Sequence, residues 1–218
     1  MIQEKSGRNR QKINWQKALD GILDRITKEG QRPSLFLHVC CAPCSSYVLE
    51  YLVPYFDITV FFYNPNITPE EEYFKRKEEL IRLIREAGHQ DHVTFKEGTY
   101  DPSLFFEMAK GLENLPERGE RCRRCYALRM REAAIMAKAA GADFFTTTLS
   151  ISPHKNADWI NEIGLELEAE YGVKHLPSDF KKKSGYLRSI ELSRQYGLYR
   201  QDYCGCVFSK KEAASRLS

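Results

Sequence analysis

The seven cysteines of this 218-residue chain are its strongest chemical signal, because all of them fall into three tight groups. An odd number of thiols cannot be paired completely within one chain, and structural disulfides are disfavoured in the cytosol. Cysteines that merely filled a core would be scattered, so the grouping favours metal or redox chemistry. The three groups are Cys40-Cys41-x2-Cys44, Cys122-x2-Cys125 and Cys204-x-Cys206.

The first group lies in the turn between a predicted strand and a predicted helix. The apolar run at residues 35–37 predicts a buried parallel strand, and residues 45–52 predict a helix that begins at a serine cap. Such a turn lies at the carboxyl edge of a parallel sheet, where open α/β folds bind ligands. Backbone N–H groups and the positive end of the helix dipole favour thiolates there.

The second group opens a long alanine-rich helix, where two thiols three residues apart can chelate one metal centre. The flanking Arg121, Arg123 and Arg124 also favour negative charge. A C-x2-C pair alone fits structural zinc, an iron–sulfur cluster or a dithiol. Together with the two adjacent cysteines of the first group it would give the four thiolates of a [4Fe–4S] cluster. Cys44 could replace one of the adjacent pair.

The third group differs in kind, because Gly205 lets the backbone turn sharply between Cys204 and Cys206. A vicinal redox disulfide, a second metal site and one half of a zinc ribbon all fit this spacing. Ribbons usually show paired C-x2-C motifs, which makes the third interpretation the weakest.

Strand and helix patterns alternate along the chain, which predicts an α/β fold with a Rossmann-like parallel sheet covered by helices on both faces. We expect an N-terminal amphipathic helix extension at residues 1–30. Residues 31–218 should form a single catalytic α/β domain with an irregular cysteine-bearing C-terminal part. Thr68 and Ser152 each precede a proline in patterns that predict helix starts.

Several function classes lack their signals. The turn after the first strand has no glycine-rich phosphate loop, and the chain has neither G-x-S-x-G nor H-E-x-x-H. A net charge of +3 does not by itself indicate nucleic acid. No apolar run approaches the roughly 20 residues of a membrane span, and the N-terminus lacks a signal-peptide core. We therefore expect a cytoplasmic protein without a membrane partner.

Five motifs in sequence order resemble the QueH-type epoxyqueuosine reductases, between residues 35 and 209. The motifs are 37–44 (LHVCCAPC), 62–67 (FYNPNI), 122–126 (CRRCY), 147–156 (TTLSISPHKN) and 199–206 (YRQDYCGC). This resemblance implies reduction of the epoxide of epoxyqueuosine, at the wobble position of tRNA, to queuosine. It also implies a [4Fe–4S] cluster held by Cys40, Cys41, Cys122 and Cys125, with Cys204 and Cys206 as a redox-active pair. A mononuclear iron near the cluster is a further expectation, and the electron donor is unknown.

The remaining site predictions follow from this function. His154 and Lys155 come after a strand end and are expected to be catalytic. The expected substrate-binding residues are Tyr63, Asn64, Asn66, Asn156, Arg123 and Arg124. Lys181–Lys183 could bind phosphates, and Tyr199 and Tyr203 could stack on bases.

Two other functions remain open at this stage. One is an iron–sulfur redox enzyme that acts on a small molecule, and the other is a zinc-stabilised RNA-binding protein without catalysis. A tRNA-thiolating enzyme is disfavoured, because the chain lacks the phosphate loop that such ATP chemistry needs.

Overall fold

The computed structural model describes residues 13–216 and confirms the predicted α/β fold with an all-parallel, five-stranded sheet. Across the sheet the strands are β3 (Val93–Glu97), β2 (Asp57–Phe62), β1 (Ser34–Val39), β4 (Phe144–Thr147) and β5 (Lys174–His175). The chain runs outward from β1 to β3 and then returns to place β4 beside β1. The switch point of the sheet, where such folds open a crevice, therefore lies between β1 and β4.

One helix precedes the first strand, others connect the strands, and two follow the last strand of the described residues. They are α1 (Trp15–Lys28), α2 (Ala42–Leu52), α3 (Glu70–Glu86), α4 (Pro102–Ala109), α5 (Glu120–Ala139), α6 (Ala157–Tyr171), α7 (Gly185–Gln195) and α8 (Val207–Ser215). A 3₁₀ turn, Thr148–Ile151, follows β4. Within residues 13–216, no helix is both long and apolar enough to cross a membrane.

The sheet is buried on both faces, which explains why its strands read as continuous apolar runs. Leu35 and Leu37 of β1 pack into a cluster with α1, α2 and α3, whereas Phe36 packs into a second cluster with α5 and α6. The first cluster includes Leu19 and Leu23, so α1 is part of the core. The division of the chain at residue 30 into an extension and a catalytic domain stays a prediction, and residues 1–12 of that extension lie outside the described range.

Three helices begin at positions other than those predicted. Helix α2 begins at Ala42 with Cys41 as its N-cap and a proline in its first turn, so the predicted serine cap is wrong. Helix α3 begins at Glu70, and Pro69 is its N-cap rather than its first residue. Helix α6 begins only at Ala157, because the side chain of Asn156 caps it.

The C-terminal part also contains α8, a helix that the sequence pattern did not predict. Its hydrophobic residues show no amphipathic spacing, and it is capped by Cys206, whose sulfur accepts a hydrogen bond from the backbone N–H of Ser209 at 3.4 Å.

Candidate metal and redox site

The strand ends bring polar and sulfur-bearing residues to one edge of the sheet. Strand β1 ends just before Cys40 and Cys41, and β2 ends before Asn64. The 3₁₀ turn after β4 leads to His154 and Lys155. Because all strands run parallel, these three loops share the carboxyl edge, as the sequence predicted.

Cys40, Cys41 and Cys44 form the β1 thiol group. Their sulfur atoms all lie within 4.8 Å of one another, and those of Cys40 and Cys41 are 3.8 Å apart. The early start of α2 places Cys44 within its first turn, which turns the third sulfur toward the other two. This group could hold a metal ion.

The three thiols share their protons unequally. Hydrogen bonds from Cys41 and Cys44 lower the pKa of Cys40 well below its ordinary value. The hydrogen bond between Cys41 and Cys40 raises the pKa of Cys41 to about 12, and a separate hydrogen bond between Cys44 and Cys40 raises the pKa of Cys44. The group therefore favours one thiolate, which is the form that binds metals.

The other four cysteines line a small cavity of about 20 Å³, which we call the inner cavity. Cys122 and Cys125 come from the first turns of α5, and Cys204 and Cys206 come from the loop before α8. Gly205 has φ +121°, which confirms the sharp turn predicted between the last two.

Apolar burial governs the thiols of the inner cavity. Cys125 and Cys206 pack against Phe105, and Met108 and Phe208 complete this small cluster. Burial raises the pKa of Cys125 to about 12 and also raises that of Cys206. For Cys125, burial outweighs the nearby positive charge of Arg129, so the thiol stays protonated and a bound metal would displace its proton.

The β1 thiol group faces a larger cavity of about 280 Å³, the thiol cavity. Cys204 lines both this cavity and the inner cavity, so the two adjoin at its side chain. His154, Lys155 and Tyr203 also line the thiol cavity. The fold thus brings together three cysteine groups that are separated by about 80 residues each along the chain.

Buried polar atoms around these sulfurs lack partners within the described part of the chain. Both side-chain polar atoms of Asn66, one terminal nitrogen of Arg76 and one of Arg129 are buried without a hydrogen bond. Asn66 and Arg129 line the inner cavity, and Arg76 lines the thiol cavity. Unsatisfied buried N–H groups are costly, especially on a cation. Buried cations and free donors beside clustered sulfurs fit an anionic metal centre held by thiolates.

Lys155 interacts electrostatically with the thiols of both cavities. Burial lowers its pKa, but the charges of Cys204, Cys40 and Cys44 outweigh burial and hold the pKa above its ordinary value. His154 lies beside it with Nδ1 2.5 Å from Arg118, and burial together with the Arg118 charge lowers its pKa. Lys155 is therefore an ammonium and His154 a neutral imidazole.

The predicted substrate-binding residues occupy different surroundings. Tyr63 is buried and stacks on Phe61, and its carbonyl oxygen lies 3.0 Å from Nε2 of His38. Asn64 donates to the carbonyl of Val39 at 2.8 Å. Both support the loop after β2, and neither lines one of the cavities described here.

Arg123 and Arg124 lie on the exposed side of α5. Arg123 is 3.7 Å from Glu162 and lies over the ring of Trp159, whereas Arg124 pairs with Glu120 at 3.2 Å. Their role in binding substrate stays a prediction, as does that of Asn156.

Two buried arginines of the site escaped the sequence interpretation. Arg129 follows Cys125 by four residues, so helical spacing alone could have placed it on the same face. Arg76 lies among the many charged residues of α3 and carries no such signal. It donates to the carbonyl of Cys204 at 3.0 Å and pairs with Glu72 at 2.7 Å.

Comparison with known proteins identifies the family of the chain. The family model described as "Epoxyqueuosine reductase QueH" matches residues 35–212. The chain belongs to the epoxyqueuosine reductase QueH family. It is therefore an oxidoreductase of that family, and all three cysteine groups lie within the matched residues.

Relatives in this family span most of the chain. The Streptococcus pyogenes serotype M1 protein named epoxyqueuosine reductase QueH is 45% identical over 203 residues, covering 92% of this chain and 80% of its own length. The Staphylococcus epidermidis protein of the same name is 44% identical, with 91% and 85% coverage. The Thermotoga maritima QueH is 38% identical over 181 residues, with 82% and 91% coverage.

Proposed function

We propose that this protein reduces the epoxide of epoxyqueuosine in tRNA to the alkene of queuosine. The family and the names of its relatives support this reaction, and one structural observation carries it to specific residues. Cys204 lines both the thiol cavity and the inner cavity, so a redox-active thiol adjoins every other cysteine group.

Cys40, Cys41, Cys122 and Cys125 would hold a [4Fe–4S] cluster, and the orphaned donors of Asn66, Arg76 and Arg129 would face its negative charge. When bound, such a cluster supplies electrons one at a time. Cys44 is then the unused member of the β1 thiol group. It is the candidate ligand for the expected additional iron.

The overall reaction balances on this chain's own thiols. Removal of the epoxide oxygen as water takes two electrons and two protons. Oxidation of Cys204 and Cys206 from two thiols to one disulfide releases the same number of each. The external electron donor must then reduce the disulfide before the next turnover.

Lys155 and His154 would act on the oxygen of the epoxide. The Lys155 ammonium lines the thiol cavity and stabilises negative charge that develops on that oxygen as its carbon bonds break. The Nδ1 atom of neutral His154 accepts a hydrogen bond from Arg118, so the other ring nitrogen carries the proton and can donate a hydrogen bond to the oxygen of the epoxide.

The decisive experiment replaces Cys204 by serine in anaerobically purified protein. Nucleosides from a digest of epoxyqueuosine-containing tRNA are measured after incubation, and iron, zinc and acid-labile sulfide are measured per chain. We expect the wild type to convert epoxyqueuosine to queuosine and Cys204→Ser not to convert it. The iron content should be the same in the two proteins, and so should the sulfide content.

Each other outcome has a definite meaning. Full activity of Cys204→Ser would remove the dithiol from the mechanism. More iron than sulfide would indicate the additional mononuclear iron. Zinc without sulfide, or a loaded protein that ignores the modified tRNA, would overturn the proposed function.

A further inference from the structure

A large groove lies beside the thiol cavity, between the start of α1, the start of α6 and the segment before α7. Its volume is about 960 Å³, several times that of the thiol cavity. Five lysines and three aspartates line it, so lysines predominate. They are Lys17, Lys155, Lys181, Lys182, Lys183, Asp20, Asp158 and Asp179. We call it the lysine groove.

The lysines of this groove are only partly neutralised. Lys181 pairs with Asp179 at 2.6 Å, and Lys183 pairs with Asp20 at 2.7 Å. Within residues 13–216, the ammonium groups of the other three lysines form no ion pair with a carboxylate.

Two of the three unpaired lysines, Lys17 and Lys182, are exposed at the surface. The third aspartate, Asp158, accepts a hydrogen bond from the indole N–H of Trp15 at 2.7 Å, so it fixes α1 against α6. The groove therefore presents a surplus of positive charge on a firmly packed wall.

The groove and the thiol cavity meet at Lys155, which lines both. The residues on either side of Lys155 in the sequence line different cavities: His154 lines the thiol cavity, and Asn156 lines the groove. An extended polyanion lying in the groove would reach the thiol cavity at its end. A single-stranded RNA backbone is such a polyanion, and RNA loops are recognised with their bases turned outward.

We propose that the lysine groove binds the sugar–phosphate backbone of the tRNA next to the nucleotide that is reduced. This inference rests on the proposed function and adds the side from which the RNA enters. It gives α1, which precedes the residues matched by the family model, a part in substrate binding.

The test is the double variant Lys17→Glu and Lys182→Glu. Both side chains are exposed, and a glutamate at position 17 adds favourable negative charge near the start of α1, so the fold should be retained. The matched control is Lys28→Glu with Lys138→Glu, which makes the same change in net charge. Lys28 and Lys138 lie in the last turns of α1 and α5, at the opposite edge of the sheet, and are also exposed.

Binding of epoxyqueuosine-containing tRNA to the metal-loaded protein is measured by fluorescence anisotropy across a series of salt concentrations. We expect the groove variant to bind about tenfold more weakly or worse at 0.1 M salt, because two phosphate contacts become repulsive. The slope of log Kd against log salt should fall by about 1.5, whereas the control should match the wild type. Thermal midpoints of all three proteins verify folding. If the double variant melts early, each single substitution should show about a threefold loss.

Equal affinity and salt slope for the groove variant and the control would overturn the groove assignment. This failure is distinct from failure of the proposed function. If the wild type does not convert epoxyqueuosine at all, the reductase proposal falls whatever the groove binds. If it converts the nucleotide while the groove variant binds normally, only the groove assignment falls.

Discussion

At the scale of single residues, the site is defined as much by buried cations as by thiols. Arg129 is 1% exposed, and its guanidinium donates to the carbonyl of Cys125 at 3.2 Å. A buried charge without a full set of partners opposes folding unless an anion compensates it. A negative centre held by the thiolates would supply that compensation to Arg129.

Replacing Arg129 by methionine tests whether the buried cation stabilises the metal centre. Loss of the buried cation should speed iron release to a chelator about tenfold, which corresponds to about 1.4 kcal/mol. Arg129→Lys, which keeps the charge, should lie between the variant and the wild type. Iron release is followed by absorbance of the chelate.

Arg131→Met is the matched control, since Arg131 lies on the same helix but is half-exposed and pairs with Glu170. It should release iron at the wild-type rate. Equal rates for Arg129→Met and Arg131→Met would show that the buried cation does not stabilise the metal centre.

Residues with a local signature could be predicted from the sequence, and those placed by tertiary packing could not. The cysteine spacings led directly to the thiols at the strand ends and at the start of α5. The four-residue spacing from Cys125 to Arg129 is a local signature that places both on one face of a helix. Arg76 reaches Cys204 across 128 residues of sequence, and no local pattern announces such a contact.

At the scale of elements, the order of strands and helices could be predicted, but several helix starts could not. For α2 and α3 the reason is that unusual residues act as caps. Cys41 and Pro69 cap their helices without a side-chain hydrogen bond, and a pattern search for Ser, Thr or Asp misses both. Helix α8 was missed because it is short and has no apolar stripe.

Asn156 shows why a cap matters to the site. Its side chain accepts hydrogen bonds from the backbone N–H groups of Asp158 at 2.9 Å and Trp159 at 3.2 Å. Asn156→Ala should cost about 1 kcal/mol and lower the thermal midpoint by about 2–4 °C. Asn156→Ser should restore most of that loss, because serine is also a good cap.

The same pair of variants tests the predicted contact of Asn156 with substrate. If capping is its whole role, the Michaelis constant for modified tRNA should follow the thermal midpoint and recover in Asn156→Ser. A Michaelis constant that stays raised in the serine variant, despite a recovered midpoint, would assign a direct contact to the amide.

At the scale of the whole molecule, the site joins three segments that are far apart in sequence. They differ in how closely they are tied to the sheet. The β1 thiol group follows a strand at the centre of the sheet, between β2 and β4. The loop that carries Cys204 and Cys206 lies outside the sheet, and the N–H of Thr68 donates a hydrogen bond to its Gly205 carbonyl at 3.0 Å. A metal centre held by the β1 thiol group and the start of α5 would transfer the rigidity of the sheet to α5, and the loop would gain from it because Cys206 packs in one cluster with Cys125.

Metal removal should therefore loosen the molecule locally rather than unfold it. Hydrogen exchange measured by mass spectrometry, before and after anaerobic chelation, should show faster exchange at residues 117–126 and 199–212. Peptides from β1 and β2 should be unchanged, because the strands are buried in two clusters built mainly of aliphatic and aromatic side chains, which pack without a metal. Residues 138–144, at the opposite edge, serve as the internal control. Equal acceleration along the whole chain would mean that the metal stabilises the entire fold, as in small zinc domains, and that the sheet alone does not suffice.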